Sequence, residues 1–318
     1  MITINYLTHN RPKKFWDITK HFLDLIKEEN KLKIRVNILS SENVDFERLD
    51  GIETNIVPFH SGYNYMEKVE YALSQNTEYS VKLDEDCFIG NHVWDYMIEN
   101  VGLLESEDNL LLAPLLSNNI PLVDQFIESF VSDESVKNEI YANFLKREMP
   151  NGLWGVDYSP LNAYTLQASS WNSSAFYEGV SQINHYYKGI HPIRICAKSQ
   201  IILNDYILNN FGKIVEEQNY SIEEFICPYY TNSVFAIKTD DWKKIVSMPA
   251  YDAFDEVSLN VFKNSFNKKT FYIKNGFALH LTYNTIHNSS HNIWGIGMLD
   301  GVNYESNLIE EIYQKLGY

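Results

Sequence analysis

Three adjacent carboxylates, Asp84, Glu85 and Asp86, close the segment YSVKLDEDCFI. The residues before them, Tyr79 to Leu83, alternate and then turn apolar as a strand does, so the trio stands where a strand ends. In open α/β sheets ligands bind outside that carboxyl edge. Once the chain turns, the carboxylates at i and i+2, Asp84 and Asp86, can converge on one divalent cation. Their charge favours such a partner, since two like charges ~4 Å apart repel by roughly 4 kcal/mol at an effective dielectric of ~20. An exposed acidic turn accounts for the same residues, because D-x-D is short enough to arise often by chance.

A second acidic pair, Asp255 and Glu256 in YDAFDEVSLNVF, opens a segment with Val257, Leu259, Val261 and Phe262 at positions a helix would bury. Carboxylates in a first helical turn are stabilised by the helix dipole, which is reason enough for them to be there. His280 ends the strand-like NGFALH before Leu281, Thr282 and Tyr283. Oxygen ligands match hard cations, and an imidazole among them shifts the preference toward Mn²⁺. A lone histidine is equally an ordinary structural residue. His287 and His291 form a rival pair at i and i+4, but HNSSH has no helical character.

Positioning these groups requires regular elements. Strand-like runs at Ile2 to Leu7, Ile34 to Leu39, Thr54 to Pro58 and Tyr79 to Leu83 alternate with helical stretches near Lys14 to Glu29 and Tyr65 to Ser74. That alternation predicts βαβ units in an α/β fold with a mainly parallel sheet. Between Asn64 and Gln75 the apolar Tyr65, Val69, Ala72 and Leu73 recur at helical spacing, with Glu67, Lys68, Glu70 and Ser74 between them, so one side packs on the sheet. The pattern changes after residue 115. Residues 116–226 mix amphipathic stretches with an aromatic segment and read as a large central insertion. From 227 to 318 the β-type pattern returns in Ser233 to Lys238 and Thr270 to Ile273, with helices near Asp240 and Asp255 and a terminal helix over Asn307 to Leu316.

Composition narrows the function. The 318 residues suffice for one large α/β domain or two modest ones. No apolar run approaches the ~20 residues of a membrane helix. The N-terminal MITINYLTHNRPKK places apolar residues before charges, the reverse of a secretory leader, so a cytoplasmic location is expected. Cys87, Cys196 and Cys227 form no CxxC or CxxxH group, which predicts free thiols rather than disulfides or a zinc site. Against 26 Lys+Arg stand 42 Asp+Glu, a net charge of −16 that repels duplex DNA unless the basic residues segregate onto one face. Trp154, Tyr158, Tyr164, Trp171, His185, Tyr186, Tyr187, His191 and Arg194 could make a platform for a sugar, or equally a core. Sequons at Asn172, Asn219 and Asn288 need no more than chance.

In order along the chain, a first strand followed by Thr8, His9, Asn10, Arg11 and Pro12, then a helix, then NYMEKVEYALSQNTEYSVKLDED, resembles the family-2-like glycosyltransferases of GT-A fold. The resemblance covers residues 1 to about 115 and returns over about 228 to 285. It implies a Rossmann-like nucleotide-sugar-binding domain. Thr8, Asn10 and Arg11 would line the base and ribose, Glu42 rather than Ser41 would sit beside the base, and Asp84 would face the ribose. Lys68 and Glu85 are further donor-side candidates. Asp86, with Asp84, would bind the metal that bridges the diphosphate, and His280 matches the late histidine that completes such sites. Inverting members of the family carry an E-D pair at a helix start whose carboxylate deprotonates the acceptor. The order here is Asp-Glu, a departure, and Glu256 matches the base by position with Asp255 as its acceptor-binding neighbour.

What the resemblance implies is an inverting transferase that uses Mn²⁺ or Mg²⁺ and a UDP-sugar and delivers the sugar to a glycan or small hydroxylated acceptor. Two alternatives stand beside it. One is transfer to hydroxylated bases of phage DNA, against which the net charge argues. The other is a non-catalytic protein that binds sugar nucleotides or glycans.

Overall fold

The computed structural model describes residues 1–9, 13–41, 45–59, 65–117, 123–145, 197–225, 230, 232–248, 255–281 and 301–318. The strands are β1 (Ile2–Thr8), β2 (Ile34–Ser40), β3 (Glu53–Pro58), β4 (Tyr79–Asp84), β5 (Cys87–Ile89), β6 (Asn109–Leu116), β7 (Ser221–Glu224), β8 (Val234–Lys238) and β9 (Lys269–His280). The helices, numbered in chain order, are α1 (Lys13–Asp24), α2 (Glu28–Lys31), α3 (Tyr65–Ser74), α4 (Asn91–Asn100), α5 (Val123–Phe130), α6 (Glu134–Leu145), α7 (Ala197–Asn209), α8 (Phe211–Val215), α9 (Thr239–Val246), α10 (Asp255–Ser265) and α11 (Gly301–Lys315). None of the described helices is long and apolar enough to cross a membrane.

The α/β expectation holds, and among the described residues the sheet has nine strands in the order β3-β2-β1-β4-β8-β6-β9-β5, with β7 added on β9. Its first half is parallel and has the 3-2-1-4 order of a Rossmann-like sheet. A mainly parallel sheet is not what forms. Beyond β4, β8 runs antiparallel to both β4 and β6, and β7 runs antiparallel to β9, so the sheet is mixed. Apolar runs such as VFAIK bury equally well in either direction, and direction is decided by the end from which the chain re-enters the sheet.

Burial follows from composition at each element. The strand β6, NLLLAPLL, is buried at all eight positions, which a continuous apolar run allows only when both faces are covered. Helix α1 buries Phe15, Trp16, Ile18, Phe22 and Leu23, and Trp16 donates its indole N–H to the Glu47 carbonyl. The single helix expected near Lys14 to Glu29 is divided into α1 and α2. The second piece starts where Asp95 of α4 accepts hydrogen bonds from the Lys27 backbone N–H and the Asn30 amide, a capping partner remote in sequence.

The chain packs into two compact units, residues 1–115, 215–226 and 232–278, and residues 116–214, 227–231 and 279–318. Within the second unit α6 and α7 are joined by the Ser199 hydroxyl, which donates to the Ile140 carbonyl. In the same unit α11 buries Leu308, Ile309 and Ile312.

Strand β9 fuses two pieces that the sequence presents as separate, Thr270 to Ile273 and NGFALH. Asn275 takes a left-handed φ of 60° without ending the strand, a conformation asparagine tolerates well. Gly276 follows with no room for a side chain, because a Cβ there would lie 2.8 Å from the Ile273 carbonyl and side chain. Gly276→Ala should therefore lower stability by about 1–3 kcal/mol, the usual cost of overpacking. A urea midpoint equal to wild type would show that the strand absorbs the methyl group.

Candidate functional site

The register of the parallel strands places Thr8 opposite Ser40, and Leu7 opposite Asp84, at one carboxyl edge. Antiparallel β8 enters the sheet at the same edge, with Val234 opposite Leu83, so Asn232 and Ser233 lie beside the end of β4. The Asp84 N–H donates to the Ser233 carbonyl at 3.1 Å. The starts of α3 and α10 bring Tyr65 and Asp255 to the same place.

At the centre is Lys82, only 2% exposed. It stands two residues before Asp84, so the two side chains share one face of β4. Its ammonium donates to Asp84 Oδ1 and to the Asn232 carbonyl, each at 2.5 Å, and lies 5.9 Å from the centre of the Tyr65 ring. The Asn232 side-chain amide in turn donates to Asp255 Oδ2 and lies 3.4 Å from the Tyr65 hydroxyl. Burial raises the Asp84 carboxyl to about 7; Lys82 opposes that shift, and the charges of Asp86 and Asp255 reinforce it. A third of the Asp84 side-chain surface still reaches solvent, which screens part of the effect of burial.

Glu85 and Lys68 both face β1. Glu85 Oε2 accepts from the Thr8 hydroxyl at 2.5 Å and from the His9 N–H at 2.7 Å, and Lys68 donates to the Thr8 carbonyl at 2.8 Å. These two donor-side candidates thus anchor the end of the first strand. At the end of β2 the Ser41 backbone N–H also donates to the Thr8 carbonyl, while its hydroxyl oxygen is buried without a hydrogen-bond partner among the described residues. Asn10, Arg11 and Glu42 lie outside the described residues, as do His287, His291 and the aromatic set of the middle segment.

Asp86 and Cys87 follow the turn and are buried, at 8% and 0% exposure. The Cys87 thiol donates to Asp86 Oδ1 at 3.9 Å. Burial, with the charge of Asp86 next, pushes that thiol well above its ordinary pKa. His280 is the last residue of β9 and is buried. Asp84 Oδ1 is bonded to Lys82. Glu256 lies in the first turn of α10, and its side chain is outside the described residues.

The sequence singled out the carboxylates but passed over Lys82, Tyr65 and Asn232. Lys82 had a readable signal, since a lysine between Val81 and Leu83 interrupts a run otherwise fit for burial. Asn232 and Tyr65 had none, because neither type is unusual in a loop or on a helix. No family model matches the chain, and no curated protein sequence matches it.

The raised Asp84 carboxyl has a measurable consequence. Its ordinary value is 3.8 and its folded value about 7, so the folded chain holds this proton more tightly than the unfolded chain. Stability therefore falls as pH rises through that window and levels off above it. Urea midpoints at about pH 5 and about pH 8 should differ more in wild type than in Asp84→Asn. Equal differences in the two proteins would assign the pH dependence to other groups.

Proposed function

We propose that the chain is a metal-dependent GT-A type glycosyltransferase that moves a sugar from a nucleotide-sugar, with UDP as the nucleotide, to an acceptor hydroxyl. One observation carries the reading: at a carboxyl sheet edge the buried Lys82 pairs with Asp84 and bonds the carbonyl of Asn232, whose side-chain amide holds Asp255, and the charges of Asp86 and Asp255 both act on Asp84. Carboxylates gathered at that edge suit a phosphorylated ligand only when a cation stands between them and the phosphates.

The donor set fits such an ion in part. Asp86 and His280 are ligands of the kind Mn²⁺ accepts, whereas Cys87 is a softer group whose raised pKa keeps it protonated. Mn²⁺ or Mg²⁺ held there would act as a Lewis acid toward a departing nucleoside diphosphate. The orphaned Ser41 hydroxyl supports a ligand at the end of β2, because a buried polar atom without a partner is costly unless something else bonds to it. Thr8 and Lys68 hold the adjoining β1 end in place. Asp84, oriented by Lys82, is assigned to the ribose of the donor.

On the acceptor side, Asp255 is already oriented by the Asn232 amide, which suits a group that holds the acceptor. Glu256, next to it on α10, is assigned the base. A carboxylate that reaches the acceptor hydroxyl at ~3 Å takes its proton as the new bond forms and typically contributes 10²- to 10⁴-fold. The net charge of −16 favours a glycan or small hydroxylated acceptor over DNA.

Two measurements test the reading. Asp86→Asn should weaken Mn²⁺-dependent UDP binding and remove most transfer, while thermal unfolding stays cooperative; UDP affinity with an unchanged Mn²⁺ dependence would remove Asp86 from the metal site. Glu256→Gln should lower the turnover of a UDP-sugar by at least roughly 10²-fold, with donor affinity nearly unchanged. If Asp255→Asn is inactive and Glu256→Gln is not, the base moves by one residue, and normal turnover in both rules out an inverting mechanism that uses this pair.

A further inference from the structure

We propose that Lys82 is a positioning residue for the transfer reaction, holding the donor-side Asp84 and, through Asn232, the acceptor-side Asp255 in one fixed arrangement. This deepens the glycosyltransferase reading and rests on it. Lys82 lies inside β4 between the buried Val81 and Leu83, where an ammonium is costly unless it is paired and hydrogen-bonded. A methionine would fill similar space without that cost. What the ammonium adds is direction.

Two of its acceptors sit on different segments, Asp84 at the end of β4 and the Asn232 carbonyl ahead of β8. Asn232 is the residue whose side-chain amide bonds Asp255 at the start of α10. One charged group therefore fixes the backbone of the residue that orients the second carboxylate. The Tyr65 ring beside the ammonium and the Tyr65 hydroxyl beside the Asn232 amide limit how either can move. Two substrates held by separate carboxylates react fast only when the carboxylates keep their spacing, and a misplacement of about 1 Å can cost about 10²-fold. Lys82 acts through these neighbours.

The test uses the full chain with Mn²⁺, UDP and a panel of UDP-sugars. Lys82→Met and Asn232→Ala should each lower turnover at least about tenfold while UDP affinity stays within about threefold, and Lys82→Arg should recover part of the loss. Unchanged turnover in both variants, or UDP binding lost in proportion to turnover, overturns the positioning role. If Lys82→Met fails to fold, Asn232→Ala leaves the Lys82–Asp84 pair in place and carries the same two outcomes.

A second readout does not depend on the substrate. Melting temperatures of Lys82→Met, Asp255→Asn and the double variant should be non-additive, the double falling by less than the sum of the singles. Additive losses overturn the linkage through Asn232. Wild-type protein that neither binds UDP nor turns over any UDP-sugar would overturn the glycosyltransferase reading alone, and the melting cycle would still decide whether the linkage exists.

Discussion

A lysine ammonium enclosed by protein at the end of β4 is the constraint around which the sheet edge is organised. Its cost in a buried site is met only if acceptors are supplied at fixed positions, and breaking a buried pair by removing one partner costs about 3–5 kcal/mol. Asp84 answers from two residues along the same strand, and Asn232 answers from the segment that leads into β8. The second acceptor is available only because β8 runs antiparallel to β4, which brings its entry rather than its exit to the carboxyl edge. The local charge balance, the position of Asp255 and the way the chain re-enters the sheet are one connected arrangement.

A second set of bonds keeps the edge from fraying. Strand β1 ends at Thr8, whose hydroxyl is bonded to Glu85, whose carbonyl accepts from Lys68 and whose neighbour His9 also donates to Glu85. These groups are polar and largely enclosed, so their bonds restrain the strand end more firmly than exposed contacts would. Glu85 and Lys68 thus restrain the strand end through their bonds to Thr8 and His9. Ser41 next to them keeps a buried hydroxyl that has no hydrogen-bond partner among the described residues.

The carboxylates around Lys82 do not share one role. Asp84 is raised toward neutrality by burial and by its acidic neighbours, with the lysine pulling the other way. Asp86 lies past the turn, next to a thiol kept protonated by the same burial, and Asp255 is held by an amide rather than by a cation. Three side chains of one chemical type acquire three environments because each projects from a different element.

Much of this was legible in the sequence. Alternating β-type and helical runs determined an α/β chain, the strand ending at Asp84 and the helix opening at Asp255, because backbone periodicity depends on residues that are near one another along the chain. The acidic trio marked the edge at which to look. Strand direction past β4, the fusion of β9 across Asn275 and Gly276, and the division of the first long helix by Asp95 were decided only by tertiary structure. Each depends on a partner distant in sequence: β4 for β8, β7 and the Asn219 carbonyl that accepts from the Asn275 amide for β9, α4 for Lys27 and Asn30. The same holds for Lys82. Its sequence showed an oddly placed charge, but whether that charge would be exposed, expelled or enclosed was settled by Asn232, 150 residues further along, and no local pattern encodes a hydrogen bond across that separation.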